Sequence, residues 1–324
     1  MKSSPLLSRL LLLCVSAGSL AVTGCDKDDD DDNGMQMNVT QIVVSDPQFS
    51  LLEAAVTKAG LANTLATTAN ITVFAPDNDA FKKLDLNSDG TADLDTEAKI
   101  MALDNSGVAL LTAVLQYHVL GSKVTSGNVP AGPNAEITTL GGKKAFATRN
   151  SAGVFINGVK VKKADVNATN GVIHVIDRVL LPPSGNIVET AAANPNFTFL
   201  VAAAQRAGTD IVNALTAAGP LTVFAPTNQA FIDAGFTTIA SIQAADPNVL
   251  KPILLYHVLG ARVFSSDLTE GAQPTTAGGG KLTITLAGGA KVKGNGNAQA
   301  SGIVATDIVT TNGVIHVING VLLP

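Results

Sequence analysis

The chain has 324 residues, with 21 Lys and Arg against 26 Asp and Glu, and a formal net charge of −5. It has no basic stretch of the kind that binds phosphates, so nucleic acid is excluded as an expected partner. With no tryptophan and only two tyrosines, it also offers little of the aromatic surface that many sugar-binding modules use.

The first 24 residues predict a secretory signal peptide. Lys2 and Arg9 accompany an apolar run over residues 10–22, which is too short to form a stable membrane span. The junction Val22-Thr23-Gly24-Cys25 resembles a bacterial lipobox, which implies cleavage before Cys25 and attachment of lipid to its sulfur. The alternative is an ordinary signal peptide followed by an incidental cysteine.

Residues 25–38 are predicted to form an acidic, disordered tether. Six aspartates lie within residues 26–32, and such a run repels itself and cannot bury apolar surface. It resembles the surface-export signals of some Gram-negative lipoproteins, although a plain spacer is the alternative. We therefore expect a lipid-anchored location in the cell envelope, at the outer membrane and exposed at the surface.

The rest of the chain contains three sequence blocks that occur twice in the same order. Residues 72–81 return as 222–231, residues 117–121 as 256–260, and residues 170–176 as 312–318. The offset of roughly 140 to 150 residues is the length of a domain rather than of a solenoid repeat. We predict two homologous domains, over 39–183 and 184–324.

Each domain is predicted to open with a helix. Asp46 and Pro47 indicate a helix start, after which Phe49, Leu52, Val56 and Ala59 share one face until Gly60 ends the helix. The second copy repeats this pattern from Asn194-Pro195 to Gly208.

A short strand and a second helix follow. Residues 72–75 favour a strand that stops at Pro76, and Asp77, or Thr227 in the second copy, is placed to cap the next helix. Residues 159–162 and 283–286 alternate as strands with one buried face.

The end of each domain is predicted to be a hairpin. Asn170-Gly171 and Asn312-Gly313 carry the hairpin-turn pattern before closing strands over 172–181 and 314–323. Helices thus come first and strands last, which predicts the α+β class.

The repeated blocks also resemble those of a known family. The Phe-Ala-Pro-x-Asn-x-Ala-Phe block, the Tyr-His pair and the closing Asn-Gly-Val-Ile-His-Val-Ile block are similar to those of the fasciclin-type adhesion domain. The resemblance implies two tandem fasciclin-type domains, each a β-wedge or sandwich with a helical layer, and a role in adhesion without enzymatic activity. It also implies partner binding at the Tyr-His motif, here Tyr117, His118, Tyr256 and His257.

The four histidines allow a second interpretation, a metal-dependent hydrolase. Each repeat pairs two histidines with one aspartate: His118, His174 and Asp165 in the first copy, and His257, His316 and Asp307 in the second. Two histidines and one carboxylate could bind a metal if they converged. The apolar neighbours of His174 and His316 instead favour neutral, hydrogen-bonded histidines on a strand, and we expect the two aspartates to bond the backbone of the Asn-Gly turn.

One loop of the first copy has no counterpart in the second. From Asp85 it matches the opening of an EF-hand calcium loop, but position 12 is Thr96 where a bidentate acid is expected. A weak calcium site is one interpretation of this loop, and a polar surface loop is the other. The candidate calcium ligands are Asp85, Asn87, Asp89, Asp93, Asp95 and Glu97; no other cofactor is expected.

Three functions are consistent with the sequence. The preferred one is a lipid-anchored surface protein whose two domains bind a protein, matrix or polysaccharide partner, with the membrane held through the N-terminal lipid. The metal-dependent hydrolase is the second. A periplasmic carrier of a small ligand is the third, and it would need an apolar pocket.

Overall fold

The computed structural model describes residues 36–86 and 90–324. The predicted signal peptide, Cys25 and most of the predicted tether lie outside these residues. In each repeat the helices come before all the strands of the sheet except one, which lies between the third and fourth helices. The helices of the first domain are Val39–Ser45 (α1), Ser50–Lys58 (α2), Ala62–Thr67 (α3), Asn78–Phe81 (α4), Glu97–Met101 (α5) and Asn105–Tyr117 (α6). Its strands are Ile71–Pro76 (β1), Val119–Leu120 (β2), Gly132–Thr138 (β3), Lys144–Asn150 (β4), Gly153–Ile156 (β5), Val159–Ala168 (β6) and Gly171–Ile176 (β7).

The second domain repeats this order with one strand fewer among the described residues. Its helices are Ile187–Ala193 (α7), Thr198–Ala207 (α8), Thr209–Thr216 (α9), Asn228–Asp233 (α10), Ile239–Ala244 (α11) and Pro247–Tyr256 (α12). Its strands are Leu221–Pro226 (β8), Val258–Leu259 (β9), Leu282–Thr285 (β10), Lys291–Gly294 (β11), Ser301–Val309 (β12) and Gly313–Ile318 (β13).

Each domain has one mixed sheet with a parallel pair of strands next to one edge strand. The strand order is β2-β1-β7-β6-β5-β4-β3 in the first domain and β10-β11-β12-β13-β8-β9 in the second. The closing strand β7 lies parallel to β1, as β13 does to β8, and the other pairs are antiparallel. Every residue of β7 and β13 is buried, because helices and neighbouring strands cover both faces. The predicted α+β class is confirmed.

The predicted first helix is present, but a 3-10 turn and an unpredicted helix precede it. The Asp46 side chain accepts a hydrogen bond from the Gln48 backbone and caps a 3-10 turn over Pro47–Phe49, which leads directly into α2. Gly60 follows the helix with a φ of 68°, a left-handed conformation that glycine adopts readily. The pattern missed α1, whose capping box uses Asn38, because this seven-residue helix has too little periodicity to register.

The repeated Asn-Gly pairs end the last hairpins, but not as the sequence predicts. The turn preceding β7 is formed by Thr169 and Asn170, since Ala168 pairs with Gly171. Gly171 is needed because a Cβ there would lie 2.1 Å from the Ile71 carbonyl oxygen. The Asn170 amide accepts from the Val39 backbone at 2.9 Å and donates to the Thr68 carbonyl at 2.9 Å, so this residue fastens the helical layer to the sheet.

The hairpin turn with two left-handed residues lies elsewhere. Asn157 and Gly158 join β5 to β6 with φ values of 49° and 77°, as a type I′ turn requires. The closing strands also end at Ile176 and Ile318, five residues earlier than predicted. The apolar residues beyond them belong to no strand.

Aromatic and cationic side chains join the two domains. The guanidinium carbon of Arg262 lies 3.8 Å from the centroid of the Phe146 ring, a cation–π contact. The rings of Phe146 and Phe264 lie 5.9 Å apart and pack with Val309 and Val314 in one buried cluster. Residues of β4 and of the loop after β9 therefore form a shared core between the domains.

Polar contacts reinforce this interface. The Asn134 amide donates to the Arg262 carbonyl at 2.7 Å, and the Asn150 amide donates to the Ser266 carbonyl at 3.2 Å.

Over residues 36–86 and 90–324, no helix is both long and apolar enough for a membrane span.

We expect Phe146→Ala to lower the free energy of unfolding by about 3 kcal/mol, as for truncation of a buried phenylalanine. Because the lost contact lies between domains, the calorimetric unfolding transition of the full chain should separate into two. Thr283 is the corresponding residue of the second sheet, and Thr283→Ala, the control, should cost about 1 kcal/mol or less. An unchanged single transition in Phe146→Ala would contradict the role of this interface.

Candidate functional site

The first predicted site, the pair Tyr117 and His118, lies at the end of α6 and is 1–2% exposed. The Tyr117 hydroxyl donates to the Lys144 carbonyl at 2.8 Å and accepts from the Asn157 amide at 2.9 Å. Burial raises the pKa of Tyr117 to about 12. This tyrosine thus ties α6 to β4 and to the turn after β5.

His118 has both ring nitrogens in use. Its Nδ1 lies 2.7 Å from the Val114 carbonyl oxygen, and its Nε2 accepts from the Leu180 backbone at 2.9 Å. A carbonyl cannot donate and a backbone N–H cannot accept, so the ring is neutral with the proton on Nδ1. Burial lowers the pKa of His118 to about 4.

The second copy repeats this arrangement. Tyr256 and His257 are equally buried. His257 bonds the Ile253 carbonyl and the Leu322 backbone at 2.8 and 2.9 Å, and burial lowers its pKa to about 4. A partner would reach either pair only if the surrounding structure opened, so partner binding by the Tyr-His pairs stays a prediction.

His174 and His316, on the closing strands, are also fully bonded. The Nε2 of His174 donates to the Val124 carbonyl at 2.8 Å, and its Nδ1 accepts from the Asp165 backbone at 3.3 Å. His316 makes the same bonds to Val263 and Asp307, and burial lowers its pKa. Each is a neutral, hydrogen-bonded histidine on a strand, as the sequence predicts. The proton is on Nε2 in these two rings, whereas it is on Nδ1 in His118.

The prediction for the two aspartates is wrong. Asp165 and Asp307 do not bond the Asn-Gly turn; they lie in bulges of β6 and β12 with left-handed φ values of 59° and 65°. The Asp165 carboxylate accepts from the backbone and hydroxyl of Ser126, and Asp307 accepts likewise from Ser265. Aspartate suits this place because it tolerates the left-handed conformation and can bond a nearby backbone.

The metal-dependent hydrolase receives no support from this geometry. All eight ring nitrogens of the histidines face a backbone group, which leaves none to coordinate an ion. Over residues 36–86 and 90–324, no group of three His, Cys, Asp or Glu side chains is placed to hold a metal.

The loop proposed to bind calcium is described only in part, because Asn87 and Asp89 lie outside the described residues. Among the other candidate ligands, Asp85 accepts from the Gly90 backbone at 2.8 Å and Asp95 pairs with Lys99 at 2.8 Å. The Asp93 carboxylate accepts from the Leu86 backbone, and Glu97 is the first residue of α5.

Thr96, the departure from the calcium pattern, caps α5 by accepting from the Lys99 backbone. A threonine at this position is therefore explained by its role as the N-cap of α5. Calcium binding stays a prediction.

A cleft between the domains was not predicted from the sequence. It has a volume of about 460 Å³ and lies between α6, the segment after β7, the first turns of the second domain and β12. Leu86, Leu110 and Leu181 line it while remaining 39%, 51% and 40% exposed. Arg178 also lines it, 3.3 Å from the Thr306 hydroxyl and 3.9 Å from Asp307. The cleft thus combines exposed apolar groups with a half-exposed cation.

The comparison with known families agrees with the repeated architecture. A sequence model described as "Fasciclin domain" matches residues 47–182 and 195–324. The chain belongs to the fasciclin domain family. The four buried histidines and two buried tyrosines are thus part of how two fasciclin domains fold.

Related fasciclin proteins come from animals, fungi and cyanobacteria. The chain is 28% identical to transforming growth factor-beta-induced protein ig-h3 of Sus scrofa over 90% of its own length and 40% of the relative's. It is 28% identical to fasciclin-like arabinogalactan protein CTB11 of Cercospora beticola, over 94% and 80% of the two lengths. It is 37% identical to protein sll1483 of Synechocystis, over 45% and 74%. The chain therefore spans less than half of the mammalian relative.

A solved FAS1 domain pair from the insect cell adhesion molecule Fasciclin I is also similar. The two chains share 18% identity with a TM-score of 0.40, over 88% of this chain and 96% of that one.

Differences between the two copies mark the contact between the domains. Counted from the Tyr-His pairs, Arg262 and Phe264 correspond to Lys123 and Thr125. The hydroxyls of Tyr117 and Tyr256 donate to the carbonyls of Lys144 and Lys281, which therefore correspond. Two residues further on, Phe146 corresponds to Thr283. A comparison of the copies for unmatched large side chains would have pointed to this region.

We expect the chain to lose stability as the pH falls from 6.5 to 4. The pKa values of His118 and His257 are about 4 in the fold and about 6.5 when unfolded. Between pH 6.5 and pH 4 the unfolded chain binds more protons than the folded chain does. The free energy of unfolding therefore decreases as the pH is lowered, and the loss is complete below pH 4.

Each of these two histidines contributes up to about 3 kcal/mol to this loss. Urea unfolding between pH 7 and 4 measures it, and imidazole ¹⁵N shifts report the two tautomers. An imidazole of His118 or His257 that titrates near pH 6.5 in the folded chain would refute this account.

Proposed function

We propose that this chain is a lipid-anchored adhesion protein of the cell envelope that binds a protein partner in the cleft between its two fasciclin domains. Membership of the fasciclin family supports a binding role. The cleft is the observation that carries the proposal for this chain.

The composition of the cleft favours a polypeptide partner over a polysaccharide. Leu86, Leu110 and Leu181 supply exposed apolar anchors, and the Arg178 guanidinium can donate to a carboxylate or a carbonyl oxygen. Thr190 also lines the cleft, and its buried hydroxyl has no hydrogen-bond partner among the described residues. Sugar recognition would use exposed tryptophan or tyrosine, but the sequence has no tryptophan and both tyrosines are buried.

A binding role also agrees with where the titratable residues lie. The four histidines are fixed as neutral rings by backbone groups, and a general base needs a nitrogen within reach of a substrate proton. The repeated polar residues serve the fold, so we propose that the protein acts by binding and not by catalysis.

We expect Leu110→Asp to weaken adhesion by about tenfold or more, since an apolar anchor at an interface centre contributes about 2 kcal/mol. The assay measures how much soluble full-length protein half-inhibits attachment of the producing cells to a surface coated with the wild-type protein.

Val249→Asp is the matched control. Val249 also lies seven residues before its tyrosine and is 55% exposed, but it does not line the cleft. Equal loss in both variants would refute the cleft as the binding surface.

The proposed anchor depends on Cys25, which follows the apolar run of the signal peptide. Cys25→Ala is expected to yield protein without lipid that leaves the membrane fraction, because no other cysteine remains after cleavage. Cys14→Ala, within the signal peptide, is the control and should stay lipidated. Mass spectrometry and membrane fractionation measure both, and a lipidated, membrane-bound Cys25→Ala would overturn the anchor.

A further inference from the structure

A cavity in the helical layer of the second domain is lined almost wholly by apolar side chains. It lies where α7, α8 and α9 cover β8, and its volume is about 100 Å³. Its walls include Ile187, Ala191, Leu200, Ala204 and Leu215. Protein interiors are close-packed, so a space of this size within a helical layer requires a reason.

The first domain has a cavity at the same place, but its volume is only about 40 Å³. Counted from Asp46 and Asn194, which begin corresponding 3-10 turns, Val43 and Val56 correspond to Ala191 and Ala204. Each replacement of valine by alanine removes two methyl groups from the wall. These two differences widen the cavity of the second domain.

The rim differs as well, in the direction of lower polarity. Thr40 and Glu53 line the cavity of the first domain, and their counterparts in the second are Val188 and Val201. A hydroxyl and a carboxylate at the rim are thus both replaced by hydrocarbon, whereas Gln205 takes the place of Thr57 and leaves one neutral polar group there.

The second cavity is also more open. Leu52 and Leu65 of the first domain are 4% and 8% exposed, whereas their counterparts Leu200 and Leu215 are only half-buried. Solvent therefore reaches apolar side chains at the mouth of the second cavity.

The floor of the second cavity offers no free polar atom. His257 lies there, and both of its ring nitrogens are bonded to Ile253 and Leu322. A polar group placed beside it would lose its water without gaining a partner. Apolar cavities of similar size stay dry and bind small hydrocarbons, so the floor selects a ligand that is hydrocarbon at its inner end.

We propose that the second domain binds the alkyl end of an amphiphile in this cavity, with the polar head left in solvent at the mouth beside Gln205. Wider walls, a rim without a charged group and a floor without free polar atoms occur together in the second domain, and the first domain has only the last of these. The same chemistry is offered by a free fatty acid and by an acyl chain of a membrane lipid.

The first experiment titrates the full chain with hexanoate and, separately, with phosphatidylcholine vesicles. NMR follows the methyl signals of Ala191 and Ala204, with Val43 and Val56 as internal controls. Saturable shifts at the two alanines with hexanoate alone indicate a free amphiphile, and shifts with vesicles as well indicate a membrane acyl chain. No shift in either titration would overturn the proposal.

The second experiment exchanges the two cavities. Ala191→Val with Ala204→Val gives the second domain the walls of the first, and its affinity for the ligand that shifts the wild type should fall at least tenfold. Val43→Ala with Val56→Ala should create a second site in the first domain. Binding that survives unchanged in the filled variant would refute the cavity as the site.

A rim variant keeps the test decisive if the filled variant does not fold. Val201→Glu restores the carboxylate that the first domain carries at Glu53, at a half-buried position on the rim of the cavity. It should weaken binding of hexanoate at least tenfold while leaving the thermal unfolding temperature within a few degrees of the wild type. Unchanged hexanoate binding in this variant would count against the proposed mouth.

Discussion

The buried tyrosine and histidine at the end of α6, and again at the end of α12, hold each domain together. His118 connects the last turn of its helix to the chain beyond the closing strand, and Tyr117 connects the same turn to β4. Helix, sheet edge and closing segment are far apart in sequence, so these bonds fix the tertiary arrangement rather than a local element. A buried polar group is costly when unpaired and specific when satisfied. The pair therefore requires every partner to be in place, and the sheet and the helical layer can pack in one way only.

The other repeated polar residues serve the same purpose at other joints. The amide of Asn78 in the first domain accepts from the start of α2 and donates to the Pro47 carbonyl. The hydroxyl of Thr72 fastens the loop after β2 to β1. These side chains are buried or turned inward, so duplication preserved the internal bonds of the fold. The differences between the copies lie where a domain faces its neighbour, the cleft or a cavity. They include the aromatic residues that join the domains, Arg178 in the cleft, and the alanines that widen the second cavity.

Sequence reasoning succeeded where a signal is local and failed where a residue acts at a distance. The caps at Asp46 and Asp77 and the stop at Gly60 were predicted, because a cap depends only on the next few residues. The role of Asn170-Gly171 was not, because Gly171 is required by the close approach of β1, a hundred residues earlier in the chain. The true left-handed turn at Asn157-Gly158 carries the same dipeptide. The pattern alone cannot tell a glycine required by φ from one required by packing.

The sequence by itself determined that there are two domains, that most helices precede most strands in each, and that the histidines sit among apolar residues. Duplication, caps and periodicity are written along the chain and need no long-range information. Only the tertiary structure decided which nitrogen of each histidine carries the proton, what the bulge aspartates bond, and where the cleft and the cavity lie. These properties depend on partners contributed by distant segments. Cleft residues such as Leu110 and Arg178 are ordinary surface residues in the sequence, and folding alone places them together.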